Sequence, residues 1–171
     1  MLLPFLGAAV FHELGHLLAL RRMGVPPRNI SIGLLGAVIE TPSMSYLKEL
    51  LAAAAGPGAS LLLGLALPFW PLLGFYSLAL ACVNLLPLPG LDGGRMLRSG
   101  LLLVLPESRA HRISDAVGLL TGLVLWGLAA YGALAFHLGL WPLFLAAGLL
   151  LRAIHASQPD QTSVFYGSFN I

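Results

Sequence analysis

Two histidines and a glutamate lie within five consecutive positions near the start of the chain. His12 and His16 are four residues apart, and Glu13 directly follows the first of them. In a helix, side chains at i and i+4 share one face, about 5–6 Å apart, so both imidazoles can reach one metal ion. Glu13 lies one step round the helix, where it can hold a water bound to that metal. The spacing predicts a zinc site with an adjacent general base.

A third ligand is expected elsewhere, because catalytic zinc takes three protein ligands and leaves one position for water. Asp92 is the candidate, because the remaining acids lie in or beside predicted loops or in the tail. Two prolines and three glycines in residues 84–94 must interrupt a helix there, and irregular backbone at membrane depth implies a cavity. The alternative interpretation is a simple turn in which Asp92 caps the next helix.

The composition indicates that these residues lie in a membrane. Of 171 residues, 58% are hydrophobic and only 9% are charged, whereas soluble domains carry about 25% charged residues. The alternative for the His-Glu motif is a polar patch that joins two helices. Placing a carboxylate at membrane depth costs about 2.5–3.5 kcal/mol, however, which favours a functional role. The single cysteine, Cys82, excludes a cysteine-rich metal site, and the scattered basic residues exclude a nucleic-acid-binding face.

The fold class predicted from the apolar pattern is an all-α integral membrane protein with about five transmembrane helices. The candidate stretches are residues 2–20, 47–70, 72–88, 113–136 and 138–154. Residues 96–105 are too short to span and are expected to form a half-helix at the interface. All nine Lys and Arg residues fall on one side of this arrangement. The positive-inside rule therefore places the N-terminus outside and the C-terminus in the cytoplasm.

The motifs resemble the site-2 protease family of intramembrane zinc metalloproteases, and they are most similar to its sporulation branch, which releases a membrane-tethered sigma factor. The matching pieces are the His12–His16 motif, Ala55-Gly56-Pro57 and residues 84–94, which together cover about residues 5–112. The resemblance implies one zinc ion held by His12, His16 and Asp92, with Glu13 as the acid/base.

The resemblance also implies that Asn84 helps to hold the substrate carbonyl or its oxyanion. Asn84 lies about two-thirds along an apolar stretch, so the alternative is a hydrogen bond to a neighbouring helix.

Residues 29–40 are too short to span and are flanked by prolines, which predicts a β-hairpin between the first two helices. In the resembling family this segment dips into the membrane and offers a strand edge to the substrate. Gly33, Leu34, Leu35 and Gly36 are therefore the expected substrate-binding residues. The alternative is an ordinary surface hairpin.

Together these features predict an intramembrane zinc endopeptidase, with the protease domain in residues 1–157 and a mobile cytoplasmic tail in residues 158–171. The expected setting is a bacterial cell membrane, with the active site opening to the cytoplasm. The expected partners are a membrane-tethered protein substrate, a membrane regulatory protein and the lipid bilayer, but not nucleic acid. The alternative is a non-catalytic zinc carrier or scaffold, which has no need of a carboxylate at Glu13.

Overall fold

The computed structural model describes residues 2–25, 29–33, 36–40, 44–136 and 139–156, so the predicted tail lies outside the described residues. The elements in chain order are α1 (Leu2–Arg22), β1 (Asn29–Gly33), β2 (Gly36–Glu40), α2 (Tyr46–Gly64), α3 (Pro71–Asn84), α4 (Asp92–Leu102), α5 (Glu107–Ala135) and α6 (Trp141–Ala156). The chain forms two compact units, Met1–Leu85 and Leu86–Ile171.

The first unit is a bundle in which α1, α2 and α3 all pack against one another. Small side chains occupy its interior: Ala8, Ala52, Ala53, Ser60 and Ala81 are almost completely buried. Large apolar side chains on the same helices point outwards, with Leu3 and Leu62 83% and 68% exposed. Small residues let helix backbones approach closely, which is how helices associate in lipid.

In the second unit, α4 and α6 both pack on α5. The segment before α4 carries Pro87 and Pro89, and Gly90 adopts a positive φ of 87°, a conformation that favours glycine. Gly118 of α5 lies against the Pro89 ring, so a side chain there would press on this segment. These contacts hold the turn that leads into α4.

The expected fold class requires correction in its number of membrane-spanning helices. The described residues contain six helices, and only α1 and α5 are both long and apolar enough to cross a membrane. α3 and α6 are shorter apolar helices. The stretch 47–70 was expected to be one helix, but α2 ends at Gly64 and hydrogen-bonded turns follow before α3 begins. The residues of these turns are mostly apolar, so hydropathy alone does not distinguish the turns from the helix before them.

The second part of the expected fold class that requires correction is the position of the hairpin in the membrane. β1 and β2 form an antiparallel two-stranded ladder, with Asn29 opposite Glu40 and Gly33 opposite Gly36. Leu34 and Leu35 lie outside the described residues. Nothing in the described part of the chain places this ladder at membrane depth.

Candidate metal centre

The imidazoles of His12 and His16 converge on the side of α1 that faces α2. Both residues are buried, with 3% and 6% of their surface exposed. Their Nε2 atoms are 3.2 Å apart, and the rings meet edge to face. The i, i+4 spacing therefore places the two rings on one face, as predicted from the sequence.

The other nitrogen of each ring is fixed by α2. His16 Nδ1 donates a hydrogen bond to the carbonyl oxygen of Ala52 at 2.7 Å, and His12 Nδ1 is 2.9 Å from Ser60 Oγ. A carbonyl oxygen can only accept, so the neutral His16 ring carries its proton on Nδ1. Its Nε2 atom then carries the lone pair that binding a metal ion requires.

The geometry of the histidine pair fits zinc. With Zn–N bonds of about 2.0–2.1 Å and tetrahedral angles, two nitrogen ligands lie about 3.3–3.4 Å apart. The observed Nε2–Nε2 separation of 3.2 Å is close to that value. Imidazole is also a preferred zinc ligand, and its second nitrogen is commonly held by a carbonyl or a similar partner. Two of the predicted ligands are thus already arranged for one ion.

Glycines on both helices bring α1 and α2 into close contact beside the histidines. A Cβ atom built on Gly15 would lie 2.6 Å from the carbonyl oxygen of Ala55. A Cβ atom built on Gly56 would collide with Nε2 of His16. Pro57 follows Gly56 and cannot donate to the carbonyl four residues earlier. Gly56, in the middle of the Ala55-Gly56-Pro57 segment, therefore lies directly against the His16 ring.

Replacing Gly56 by alanine should displace His16 and weaken zinc binding. The added methyl group has no free space, and such overpacking costs about 1–3 kcal/mol. We expect a lower unfolding temperature in detergent and a lower zinc affinity, measured by chelator competition. Gly58→Ala is the matched control on the same helix, because a Cβ there meets nothing within 4 Å. Equal zinc affinities for the two variants would contradict the assigned contact.

Glu13 is half-buried on the face of α1 next to the histidines. Among the described residues, no side chain or backbone group forms an ion pair or hydrogen bond with its carboxylate. A carboxylate that is not engaged by a structural partner remains available to accept and return protons.

Asp92 is the first residue of α4 in the second unit and is 93% buried. Its carboxylate lies 3.9 Å from the guanidinium of Arg95. Leu91 occupies the cap position and makes no side-chain cap bond, so Asp92 is not the helix cap of the alternative interpretation. A Cβ atom on Gly94 would collide with the carbonyl oxygen of Leu88, which explains why glycine occupies this position in the first turn of α4.

Asn84 is the last residue of α3, and its side chain turns back onto that helix. Its Nδ2 atom donates to the carbonyl oxygen of Leu80 at 3.0 Å. Within the described residues this is its only hydrogen bond, so the interhelical bond of the alternative interpretation is not present. The oxyanion role of Asn84 stays a prediction, as do the substrate contacts of Gly33, Leu34, Leu35 and Gly36.

Sequence reasoning missed Ala52 and Ser60, the two residues of α2 that fix the histidine rings. Ala52, Gly56 and Ser60 repeat at every fourth position and therefore lie on one face of α2. All three are buried. This pattern of small residues indicates a close helix contact, but the sequence alone does not show that the contacting helix is α1.

A helix-borne pair of histidines with an adjacent glutamate defines the metalloprotease class of centre. Residues 35–125, more than half of the chain, match the model of Peptidase family M50. The chain therefore belongs to peptidase family M50, a family of membrane-bound zinc metalloproteases.

Two individual proteins are also similar to this chain. A Synechocystis protein named "Putative zinc metalloprotease" is 36% identical over 108 residues, which covers 54% of this chain and 28% of that protein. The chain thus spans little more than a quarter of that relative's length. The structure of the site-2 protease from Methanocaldococcus jannaschii has the same fold, with a TM-score of 0.68 at 24% identity, covering 91% of this chain and 76% of that one.

Proposed function

We propose that this chain is an intramembrane zinc endopeptidase that cleaves a transmembrane or juxtamembrane segment of a membrane-tethered protein. The observation that carries the proposal is the convergence of His12 and His16 at 3.2 Å, beside Glu13. These residues lie on α1, a helix long and apolar enough to cross a membrane. A water-activating centre on such a helix is suited to peptide bonds within or beside the bilayer.

We infer that His12, His16 and Asp92 hold one zinc ion. All three are buried, and a buried carboxylate needs a cation or hydrogen-bond donors to offset the loss of hydration. Two imidazoles and one carboxylate form a usual ligand set of catalytic zinc, which leaves one position open. When bound, zinc polarises the scissile carbonyl and lowers the pKa of water to about 7.

Glu13 is the proton carrier of the proposed reaction. Its carboxylate accepts a proton from the attacking water and returns that proton to the nitrogen of the leaving amine. Asn84 is the proposed donor to the carbonyl oxygen of the substrate as negative charge develops there. Its Nδ2 atom carries two hydrogens, so one can stay bonded to the carbonyl of Leu80 while the other is donated to the substrate.

The substrate that best suits this centre is a regulatory protein tethered to the bacterial cell membrane, such as a sigma-factor precursor. The placement of Arg21 and Arg22 at the end of α1 supports a cytoplasmic position for that end of the helix. Cleavage near this end would release the regulatory protein inward, which is regulated intramembrane proteolysis. We propose a membrane regulatory protein as the partner that controls this step.

Metal removal tests the proposal directly. The purified chain is reconstituted in liposomes with a single-span reporter that carries a fluorescent cytoplasmic domain. We expect release of that domain to stop when a chelator removes the metal, and to return when zinc, but not magnesium, is added. Mass spectrometry of the product locates the cleaved bond.

The alternative function, a non-catalytic zinc carrier or scaffold, predicts a different result. Such a protein binds zinc but leaves the reporter uncleaved, with or without added zinc. Zinc binding without cleavage of any reporter from a panel with varied transmembrane sequences would favour the carrier over the protease.

A further inference from the structure

We propose that Ser60 is a positioning residue for the metal centre: its hydroxyl fixes the ring orientation and tautomer of His12. This inference rests on the proposed function, because it concerns one of the proposed zinc ligands. Ser60 lies on α2, is completely buried, and its Oγ is 2.9 Å from His12 Nδ1. Serine and histidine are 48 positions apart in the sequence, so the contact depends on helix packing.

The hydrogen bond of Ser60 differs from that of a comparable buried serine in the same unit. Ser77 of α3 is also completely buried, and its Oγ donates to the carbonyl oxygen of Leu73, four residues earlier in its own helix. This back-bonding is the usual choice of a serine inside a helix. Ser60 instead makes its hydrogen bond across to α1. The α1–α2 contact therefore directs this hydroxyl to the histidine ring.

The two histidines have partners of different chemistry on α2. The Ala52 carbonyl can only accept, which sets the tautomer of His16. A hydroxyl both donates and accepts hydrogen bonds, so Ser60 Oγ can accept a hydrogen bond from the Nδ1–H of His12 when Nε2 of that ring binds a metal ion. With both Nδ1 atoms protonated, each Nε2 atom carries a lone pair on the same face of α1. Ser60 thus accepts the hydrogen bond of Nδ1 in His12, as the Ala52 carbonyl does for Nδ1 in His16.

Zinc affinity of the full chain in detergent tests this role. Ser60→Ala removes the hydroxyl with little change in volume, and we expect zinc to bind about 10–100-fold more weakly, the range found when an outer-shell partner is lost. Ser77→Ala is the matched control, because it removes an equally buried hydroxyl whose hydrogen bond goes to Leu73 of its own helix. Its zinc affinity should equal that of the unchanged chain.

A second readout follows the tautomer itself. In zinc-loaded protein labelled with ¹⁵N-histidine, we expect His12 to show a protonated Nδ1 that exchanges slowly with solvent, and Ser60→Ala to speed this exchange. His12→Ala identifies the signal and should abolish zinc binding. A purely structural role for Ser60 would change stability without changing this signal.

The outcomes distinguish failure of the Ser60 role from failure of the proposed zinc protease function. Unchanged zinc affinity in Ser60→Ala, with zinc still lost in His12→Ala, overturns the role of Ser60 and leaves the metal centre intact. If the alanine variant does not fold, the unchanged chain still decides, because zinc bound through Nδ1 of His12 would overturn the proposal. If the unchanged chain binds no zinc, the proposed function fails and the role of Ser60 fails with it.

Discussion

Replacing Glu13 by glutamine should lower kcat for reporter cleavage by about 10²–10⁴-fold, the usual contribution of a general acid–base group. Glutamine keeps the size of the side chain but cannot carry the proton from water to the leaving amine. Zinc binding should be unchanged, because Glu13 is not a proposed ligand. Initial cleavage rates and the zinc content of the same preparation measure both effects.

Glu49→Gln is the matched control for this substitution. Glu49 is also half-buried on a helix of the first unit, and no role in the centre is assigned to it. Its variant should cleave at the rate of the unchanged chain. Continued cleavage by Glu13→Gln would refute the assigned proton carrier, whereas loss of zinc from that variant would indicate that Glu13 supports the metal.

Replacing Asp92 by alanine should weaken zinc binding more than a substitution of any residue that is not itself a proposed zinc ligand. Loss of an outer-shell partner costs about 10–100-fold in metal affinity, and we expect loss of this carboxylate to exceed that range. Cleavage should fall in parallel because the metal is absent. Elemental analysis and chelator competition on the purified protein measure the effect.

The control for Asp92→Ala is Asp115→Ala, which removes a half-buried carboxylate from α5 in the same unit. We expect full zinc affinity in that variant. If Asp92→Ala retains zinc while His12→Ala does not, the third ligand lies elsewhere and only the histidine pair stands.

Local helix geometry explains how far the metal centre was predictable. His12 and His16 share a face because of their spacing alone, and no knowledge of the remaining chain was needed. The contacts of the rings with Ala52 and Ser60 depend on how α1 and α2 pack. Packing of this kind is set by many weak contacts between distant residues, so no short pattern in the sequence reports it.

The helices were predictable in position but not in length. Each of the five long apolar stretches overlaps a helix, and the short stretch 96–105 overlaps α4. Their ends were misplaced where apolar residues continue beyond the helix, as after Gly64. The start of α5 at Glu107 was missed for the opposite reason, because its first turns are polar. Hydropathy reports the solvent around a residue, whereas hydrogen bonding decides where a helix ends.

The close pairing of α1 with α2 also bears on how the protein is made. The hydrogen bonds of His12 and His16 to α2 involve no residue beyond Ser60. N-terminal segments form first during synthesis, so these two helices can pair while α5 and α6 do not yet exist. Two of the three proposed ligands, His12 and His16, can therefore be arranged before Asp92 takes its place in the fold. Binding of zinc by all three proposed ligands would then come after the pairing of α1 with α2.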